Sequence, residues 1–148
     1  MKKILIESIQ PRVGSGYPAP FDEPCRHRVR RALGDTAGLT DFGVNVLELP
    51  PGSWSSQRHW HSKEDEFVWV LEGEVVLVTE LGEEVFRAGE CVGFRAGDAN
   101  GHHFQNRSDQ TVRLLEIGSR HEDDVTDYPD IDLRIDGPTT THKDGRPY

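Results

Sequence analysis

Residues 59–79 have the sequence HWHSKEDEFVWVLEGEVVLVT, and the fold prediction starts there. Two short apolar runs, 67–71 and 75–79, are rich in β-branched and aromatic residues. Runs of this kind are typical of β-strands, whereas the Glu72-Gly73 pair between them is typical of a turn. The stretch therefore predicts two consecutive strands joined by a tight turn.

The same succession of short apolar runs and turn residues extends over residues 42–118. Further runs of this composition are 44–49, 85–86, 91–94 and 112–117. The turn residues that separate them are Pro50-Pro51-Gly52, Leu81-Gly82, Ala88-Gly89-Glu90 and Ala96-Gly97-Asp98. Short strands at a spacing of about 8–12 residues predict an all-β sandwich or barrel. No segment of the sequence has a sustained helical periodicity.

The length of 148 residues fits one domain with a sizeable core. Residues 1–40 contain glycine and proline at a density that opposes helix, so we expect an irregular N-terminal extension. Residues 41–118 form the predicted barrel. Residues 119–148 are acidic and polar, and we expect a C-terminal extension rather than a second domain. Its apolar residues could pack it onto the barrel; they are Tyr128, Ile131, Leu133 and Ile135.

The balance of charge limits the classes of partner. The net charge is −9 at neutral pH, and an acidic chain repels the phosphates of nucleic acids. We therefore expect no nucleic-acid partner. The basic run 26–31, Arg-His-Arg-Val-Arg-Arg, is interpreted as a solvated face or as salt-bridge partners for acidic residues.

Cysteine content and hydropathy indicate the compartment. Two cysteines, Cys25 and Cys91, do not make a disulfide scaffold and favour a reducing compartment. Cys91 lies among apolar residues, which predicts a buried, unreactive thiol. The apolar run at 4–6 ends at Glu7 and is too short for the core of a signal peptide. Since no stretch approaches the roughly 20 apolar residues that span a bilayer, we expect a cytoplasmic protein without a membrane partner.

A group of possible metal ligands begins at His59 and His61. Residues i and i+2 of a strand point to the same side, so both imidazoles can reach one point. Glu66 opens an apolar strand, where an ionised carboxylate is costly to bury unless a cation neutralises it. His102, on a later predicted strand, could supply a third imidazole. Each feature is weak by itself, because a His-x-His pair is more often a surface feature than a metal site.

Two motifs taken together resemble those of the cupin superfamily. The first family motif is G-x5-H-x-H-x3–4-E-x6-G, and its members here are Gly52, His59, His61, Glu66 and Gly73. The gap between the first glycine and the first histidine is one residue longer here. Because Glu66 keeps the family spacing to Gly73, we prefer it as a ligand over its acidic neighbours Glu64 and Asp65.

The second family motif is G-x5-P-x-G-x2-H-x3-N. Its members here are Gly89, Arg95, Gly97, His102 and Asn106. Arg95 stands where the family has proline, and the loop 98–101 is longer than the family loop. The longer loop makes His103 an alternative ligand. We prefer His102 because it keeps the family spacing to Asn106.

The resemblance implies a double-stranded β-helix, or jelly-roll barrel, that holds a metal inside. The implied ligands are His59, His61, Glu66 and His102, with one or two positions left for water or substrate. Three imidazoles and one carboxylate suit Fe, Mn, Ni, Co, Cu or Zn as a divalent ion, and the sequence does not choose among them.

Among cupins, the chain resembles small single-domain members labelled sugar-phosphate isomerases. The segments 64–73, 101–109 and 143–148 carry this likeness. It implies a metal-dependent enzyme acting on a small oxygenated metabolite, in which a general base moves a proton. The candidates for the base are His103, Glu64 and Asp65. The candidates for substrate binding are Arg58, Arg95 and Asn106.

Two other functions fit the same four ligands. An Fe(II)-dependent dioxygenase would differ from an isomerase by its need for oxygen. A non-catalytic module that binds a small molecule is the other alternative. Small cupins also commonly dimerise through an N-terminal strand, so Ile4-Leu5-Ile6 is interpreted either as the strand of a homodimer or as an ordinary edge strand.

Overall fold

The computed structural model describes residues 3–148. Its strands, in chain order, are β1 (Arg12–Val13), β2 (Val29–Ala32), β3 (Phe42–Leu49), β4 (Trp60–His61), β5 (Glu66–Glu72), β6 (Glu74–Thr79), β7 (Gly82–Arg87), β8 (Cys91–Phe94), β9 (His103–Gln105), β10 (Val112–Ser119), β11 (Val125–Asp127), β12 (Arg134–Asp136) and β13 (Thr139–Thr141). Within the described residues, helical structure is limited to α1 (Leu33–Ala37) and to 3-10 turns at Ile6–Ser8 and Glu23–Cys25. The prediction of an all-β protein is confirmed.

Two antiparallel sheets that face each other form the barrel. The larger sheet has the strand order β1-β2-β3-β10-β5-β8, and the smaller has the order β7-β6-β9. A further sheet has the order β13-β12-β11-β4. The chain passes from one facing sheet to the other between the consecutive strands β5 and β6. This exchange between facing sheets is the jelly-roll arrangement that the sequence predicts.

The chain crosses from β5 to β6 at a turn that requires glycine. Gly73 has a φ of 84°, in the left-handed region that favours glycine. A Cβ atom at this position would also lie 3.1 Å from Cγ2 of Val112. Both facts agree with the turn that the sequence places between the two apolar runs.

Apolar side chains from both sheets fill one end of the barrel. The buried cluster consists of Leu47, Leu49, Val68, Val70, Val112 and Leu114 of the larger sheet, together with Val75, Leu77 and Phe104 of the smaller. Since side chains alternate along a strand, each strand contributes every second residue to this cluster. Burial of this apolar surface is the main driving force for closing the barrel.

The inward-facing positions become polar towards the other end of the barrel. The register of β3 and β10 pairs Leu47 with Leu114 and, two residues further along, Asn45 with Glu116. At the next inward position, Glu66 of β5 pairs with Gly118 of β10. The same three strands therefore supply both the apolar core and a polar interior, and the candidate site lies in the polar part.

The segment before residue 41 is more regular than expected. Strand β2 pairs with β3 along the edge of the larger sheet, and α1 follows it directly. The sequence gives no sign of this strand, because its inward positions are not apolar. Arg30 faces the same side of the sheet as Leu47, its register partner.

The C-terminal segment adds strands to the barrel. Strand β11 pairs with β4, and β12 and β13 continue this sheet. Tyr128 and Leu133 are buried, in agreement with the expectation that apolar residues pack this segment down. Residues 119–148 therefore lie next to the strand that carries His61.

The prediction of a buried Cys91 is wrong. Cys91 is exposed, whereas Cys25 is buried. In β8, Val92 and Phe94 pack against the core cluster, so the alternation of side chains turns Cys91 to the outer face. Its apolar sequence neighbours belong to the opposite face of the strand.

The N-terminal apolar run does not form a strand in the described part of the chain. Leu5 is exposed and precedes the 3-10 turn that begins at Ile6. Among residues 3–148, no helix has the length and the apolar character needed to cross a membrane.

We expect Leu114→Ala to lower the free energy of unfolding by about 2–5 kcal/mol, because it leaves a cavity in the core. Leu114 is 0% exposed and lies in the middle of the cluster. The matched control is Leu81→Ala, since Leu81 is 90% exposed; its effect should stay within about 0.5 kcal/mol. Urea unfolding measures both. Equal losses in the two variants would contradict this account of the core.

Candidate metal centre

Backbone pairing sets His59 beside His102. The N–H of His102 donates to the carbonyl of His59 at 2.8 Å, and the N–H of His59 donates back at 3.2 Å. The two imidazole rings are 5.0 Å apart between centroids. His61, two residues after His59, has its ring centroid 5.1 Å from that of His59. The three imidazoles therefore meet on one side of the chain.

Glu66, the first residue of β5, supplies the atom on which the imidazoles converge. Its Oε2 lies 2.9 Å from Nε2 of His102. The same oxygen lies 3.7 Å from Nε2 of His59 and 3.7 Å from Nε2 of His61. His59, His61 and Glu66 each offer one donor atom, and these three atoms lie within 4.8 Å of one another. The structure thus brings together all four residues that the two motifs single out.

Hydrogen bonds on the far side of two rings fix which nitrogen carries the proton. Nδ1 of His59 donates to the carbonyl of Gln57 at 2.9 Å, and Nδ1 of His61 donates to Oδ2 of Asp124 at 2.6 Å. In its neutral form an imidazole has one N–H, so the Nε2 atom of each neutral ring carries a lone pair that faces Glu66. Lone pairs directed at a carboxylate oxygen repel it unless a cation lies between them.

The charge states of the group also suit a cation. Burial, the largest influence, lowers the pKa of His59 to about 4. Burial alone would raise the pKa of Glu66, but the hydrogen bond with His102 and the neighbouring imidazoles outweigh it and lower this pKa to about 2. At neutral pH His59 is neutral and Glu66 is ionised, which are the forms that bind metals.

His102 completes the group with a firmly held ring. Phe94 stacks on it at a centroid distance of 3.5 Å and an interplanar angle of 2°. Its Nδ1 is buried and has no hydrogen-bond partner within residues 3–148. With its Nε2 directed at Glu66, the ring fits a third nitrogen ligand. Three imidazoles and one carboxylate are a donor set for a divalent transition metal.

Asp124 is a residue of this centre that sequence reasoning missed. Besides the hydrogen bond from His61, its carboxylate accepts hydrogen bonds from the Lys63 N–H at 2.8 Å and from the Ser62 hydroxyl at 3.2 Å. Burial opposes its ionisation, but these hydrogen bonds prevail and lower the pKa of Asp124. A carboxylate behind a histidine orients the ring and makes the imidazole a better ligand.

Two cavities meet at the centre, with His61, Glu64 and Glu66 lining both. The first cavity, of ≈ 390 Å³, lies between the facing sheets and is also lined by Leu77, Phe94, Arg95 and His102. The second cavity, of ≈ 290 Å³, lies against the inner face of the larger sheet. Its lining includes His59 together with Arg28, Arg30, Asn45 and Glu116. A bound metal would therefore be reachable from two sides.

The basic run has two environments. Arg26 and Arg31 form ion pairs with Glu23 and Glu48, as interpreted from the sequence. Arg28 and Arg30 line a cavity inside the barrel rather than a solvated face. Their i, i+2 spacing around Val29 is compatible with one face of a strand, but without apolar alternation this spacing alone does not identify a strand. Opposite them, burial raises the pKa of Glu116, while the charges of Arg30 and Arg28 act in the other direction.

The three candidate bases have different positions. Glu64 lines both cavities, and its Oε1 accepts from the His121 N–H at 2.7 Å. Asp65 lines neither cavity; its Oδ1 accepts from the Ala96 N–H at 2.8 Å. His103 is buried behind the centre, where its Nδ1 donates to the Ser56 carbonyl at 2.9 Å. Asp65 and His103 are thus held by hydrogen bonds away from both cavities, and their expected role as bases stays a prediction that this geometry does not favour.

The candidates for substrate binding differ in whether they line a cavity. Arg95 lines the first cavity. Arg58 lines neither cavity and forms ion pairs with Asp130 at 2.7 Å and with Glu80 at 2.6 Å. Asn106 is buried, and its amide donates to two backbone carbonyls. Arg58 and Asn106 therefore have structural partners in the protein, and their contact with substrate stays a prediction.

Comparison with known proteins shows the family. The family model of the cupin domain matches residues 45–118. A solved structure of a sugar phosphate isomerase of the cupin superfamily, from Silicibacter pomeroyi, is 42% identical, with 99% of this chain and 96% of that chain covered and a TM-score of 0.93. This chain belongs to the cupin domain family. No match was found among curated proteins.

Two further solved structures extend the likeness. A protein from Acidithiobacillus ferrooxidans, named as a candidate sugar phosphate isomerase, is 36% identical, with 73% of this chain and 69% of that chain covered and a TM-score of 0.70. The polyketide cyclase RemF from Streptomyces resistomycificus is 23% identical, with 97% and 85% covered and a TM-score of 0.67. The latter shares the fold alone.

We expect Asp124→Asn to weaken metal binding by about 10–100-fold, because the amide no longer orients and polarises His61. Asp123→Asn is the matched control, since the neighbouring carboxylate is exposed and, among the described residues, forms its ion pair with Lys63. Competition with a chelator of known affinity measures both variants. Equal affinities in the two variants would show that Asp124 does not support the centre.

Proposed function

We propose that this protein is a metal-dependent cupin enzyme that acts on a small oxygenated metabolite, and that sugar-phosphate isomerisation is its reaction. One observation carries the proposal: two Nε2 lone pairs and the ionised Glu66 converge at the meeting point of two cavities. His59, His61, Glu66 and His102 would hold one divalent ion of Fe, Mn, Ni, Co, Cu or Zn. Known relatives named sugar phosphate isomerases support the choice of reaction.

The residues around the centre suit proton transfer between neighbouring carbons of a sugar. A bound divalent metal supplies Lewis acidity that polarises a carbonyl or hydroxyl oxygen of the substrate. Glu64 is the proposed base, since it lines both cavities and keeps one oxygen, Oε2, without a hydrogen bond within residues 3–148. Leu77, Val92 and Phe94 line the first cavity and reduce the access of water.

The same metal ligands suit other functions. The same donor set suits Fe(II), so an oxygen-dependent reaction is the alternative, and a module that binds without catalysis is another. A homodimer in a cytoplasmic setting stays a prediction. The exposed Phe67 and Trp69 on the outer face of β5 offer apolar surface for a second copy.

We expect about one transition-metal ion per chain in protein purified without chelator or affinity metal, and its loss in His59→Ala and His102→Ala. His27→Ala and His103→Ala should keep their metal, because neither side chain reaches the centre. Elemental analysis measures all five proteins. Full occupancy in His59→Ala, or loss in His103→Ala with retention in His102→Ala, would refute the ligand assignment.

We expect the metal-loaded protein to incorporate deuterium from deuterium oxide at the carbon next to the carbonyl of a sugar phosphate. Glu64→Gln should slow the exchange by about 10²–10⁴-fold, since it removes the base but keeps an acceptor for His121. Glu122→Gln is the control, because Glu122 is exposed and lies outside both cavities. Proton NMR over a panel of sugar phosphates gives the rates. Consumption of oxygen without exchange would favour the dioxygenase.

A further inference from the structure

The second cavity is lined by an amide side chain, Asn45, that has no hydrogen-bond partner within residues 3–148. Asn45 is 8% exposed. An amide held in this way is suited to a ligand that supplies both a donor and an acceptor.

Two further polar side chains of the cavity are equally free. Glu116, the register partner of Asn45, forms no ion pair or hydrogen bond within the described residues. Arg30 also lacks such a partner there. Arg28, by contrast, donates to the carbonyls of Gly14 and Ser55 and is thereby anchored. The cavity thus combines a free guanidinium, a free amide and a free carboxylate on one sheet face.

Two glycines keep this group open towards the metal centre. Gly43 pairs with Gly118, and both line the cavity at the inward position between Asn45 and the end of the strands. A Cβ atom at Gly43 would lie 3.8 Å from Nδ2 of Asn45, and one at Gly118 would lie 3.8 Å from Cγ of Glu66. Side chains here would therefore fill the space between the free polar group and Glu66.

We propose that Arg30, Asn45 and Glu116 bind the substrate of the metal centre, with Arg30 on an oxyanion and Asn45 and Glu116 on hydroxyl groups beside it. The substrate class is a small polyhydroxylated anion, and the oxyanion is a phosphate or a carboxylate. A guanidinium matches the paired oxygens of either group. The proposal rests on the proposed function, and it locates the anion inside the barrel rather than at Arg58 or Arg95.

Inorganic phosphate is the probe, titrated into the metal-loaded and the metal-free protein in a calorimeter. Wild type should bind phosphate in both forms. Arg30→Gln should weaken binding by about tenfold or more, because a charge-assisted hydrogen bond is lost. Arg26→Gln makes the same change of charge in the same basic run but on an exposed side chain, and it should leave the affinity unchanged.

Asn45→Asp is a second variant that keeps the size of the side chain. It places a carboxylate beside Arg30 and should weaken phosphate binding by about tenfold through repulsion. The metal content of every sample is measured in parallel, so that loss of the metal tests the proposed function separately.

Unchanged phosphate affinity in Arg30→Gln and Asn45→Asp would overturn the inference. Binding that requires the metal and survives Arg30→Gln would also overturn it, since the anion would then lie on the metal. Absence of phosphate binding to metal-free wild type would have the same meaning. Weakened binding in both variants with normal metal content is the result that supports the proposal.

Discussion

The central constraint on this structure is the repulsion between imidazole nitrogens and the ionised carboxylate of Glu66. Two imidazole nitrogens carry lone pairs that face one ionised oxygen of Glu66, because the opposite nitrogens donate to Gln57 and Asp124. The hydrogen bond from His102 to the same oxygen offsets part of this repulsion, and a cation between the three groups would remove it. The surrounding features serve the convergence: the bridge between His59 and His102 sets the ring spacing, and Phe94 holds the third ring in place.

One end of the barrel contains the apolar core, and the other end contains the polar candidate site. On β3 and β10, the inward positions change from Leu47 and Leu114 to Asn45 and Glu116 within two residues. The apolar end supplies the burial that keeps the barrel closed. The polar end can then keep side chains without protein partners, since the fold does not depend on them. A strand period of two makes this division possible within one sheet.

The sequence predicts the parts of this protein that depend on local spacing. The strand runs, the Gly73 turn and the approach of His59 to His61 follow from residue spacing. The inclusion of Glu66 and His102 follows from the resemblance to the two cupin motifs. Local spacing does not predict contacts between segments that are distant in the sequence. Asp124 reaches His61 because β11 pairs with β4, and no motif connects these two strands. The sequence also does not show that His103 and Arg58 lie outside the two cavities, because neighbouring residues in a strand or loop can point in opposite directions.

Arg30 was missed for a related reason: a strand that borders a polar interior lacks the apolar alternation used to recognise strands. The hydrogen bond from His61 to Asp124 has a wider meaning for the last part of the chain. It connects the C-terminal strands to the ligand group, so cofactor occupancy and the docking of this segment are thermodynamically linked. Metal binding would therefore stabilise the docking of residues 119–148. Truncation of this segment would weaken metal binding while leaving the apolar core of the barrel intact.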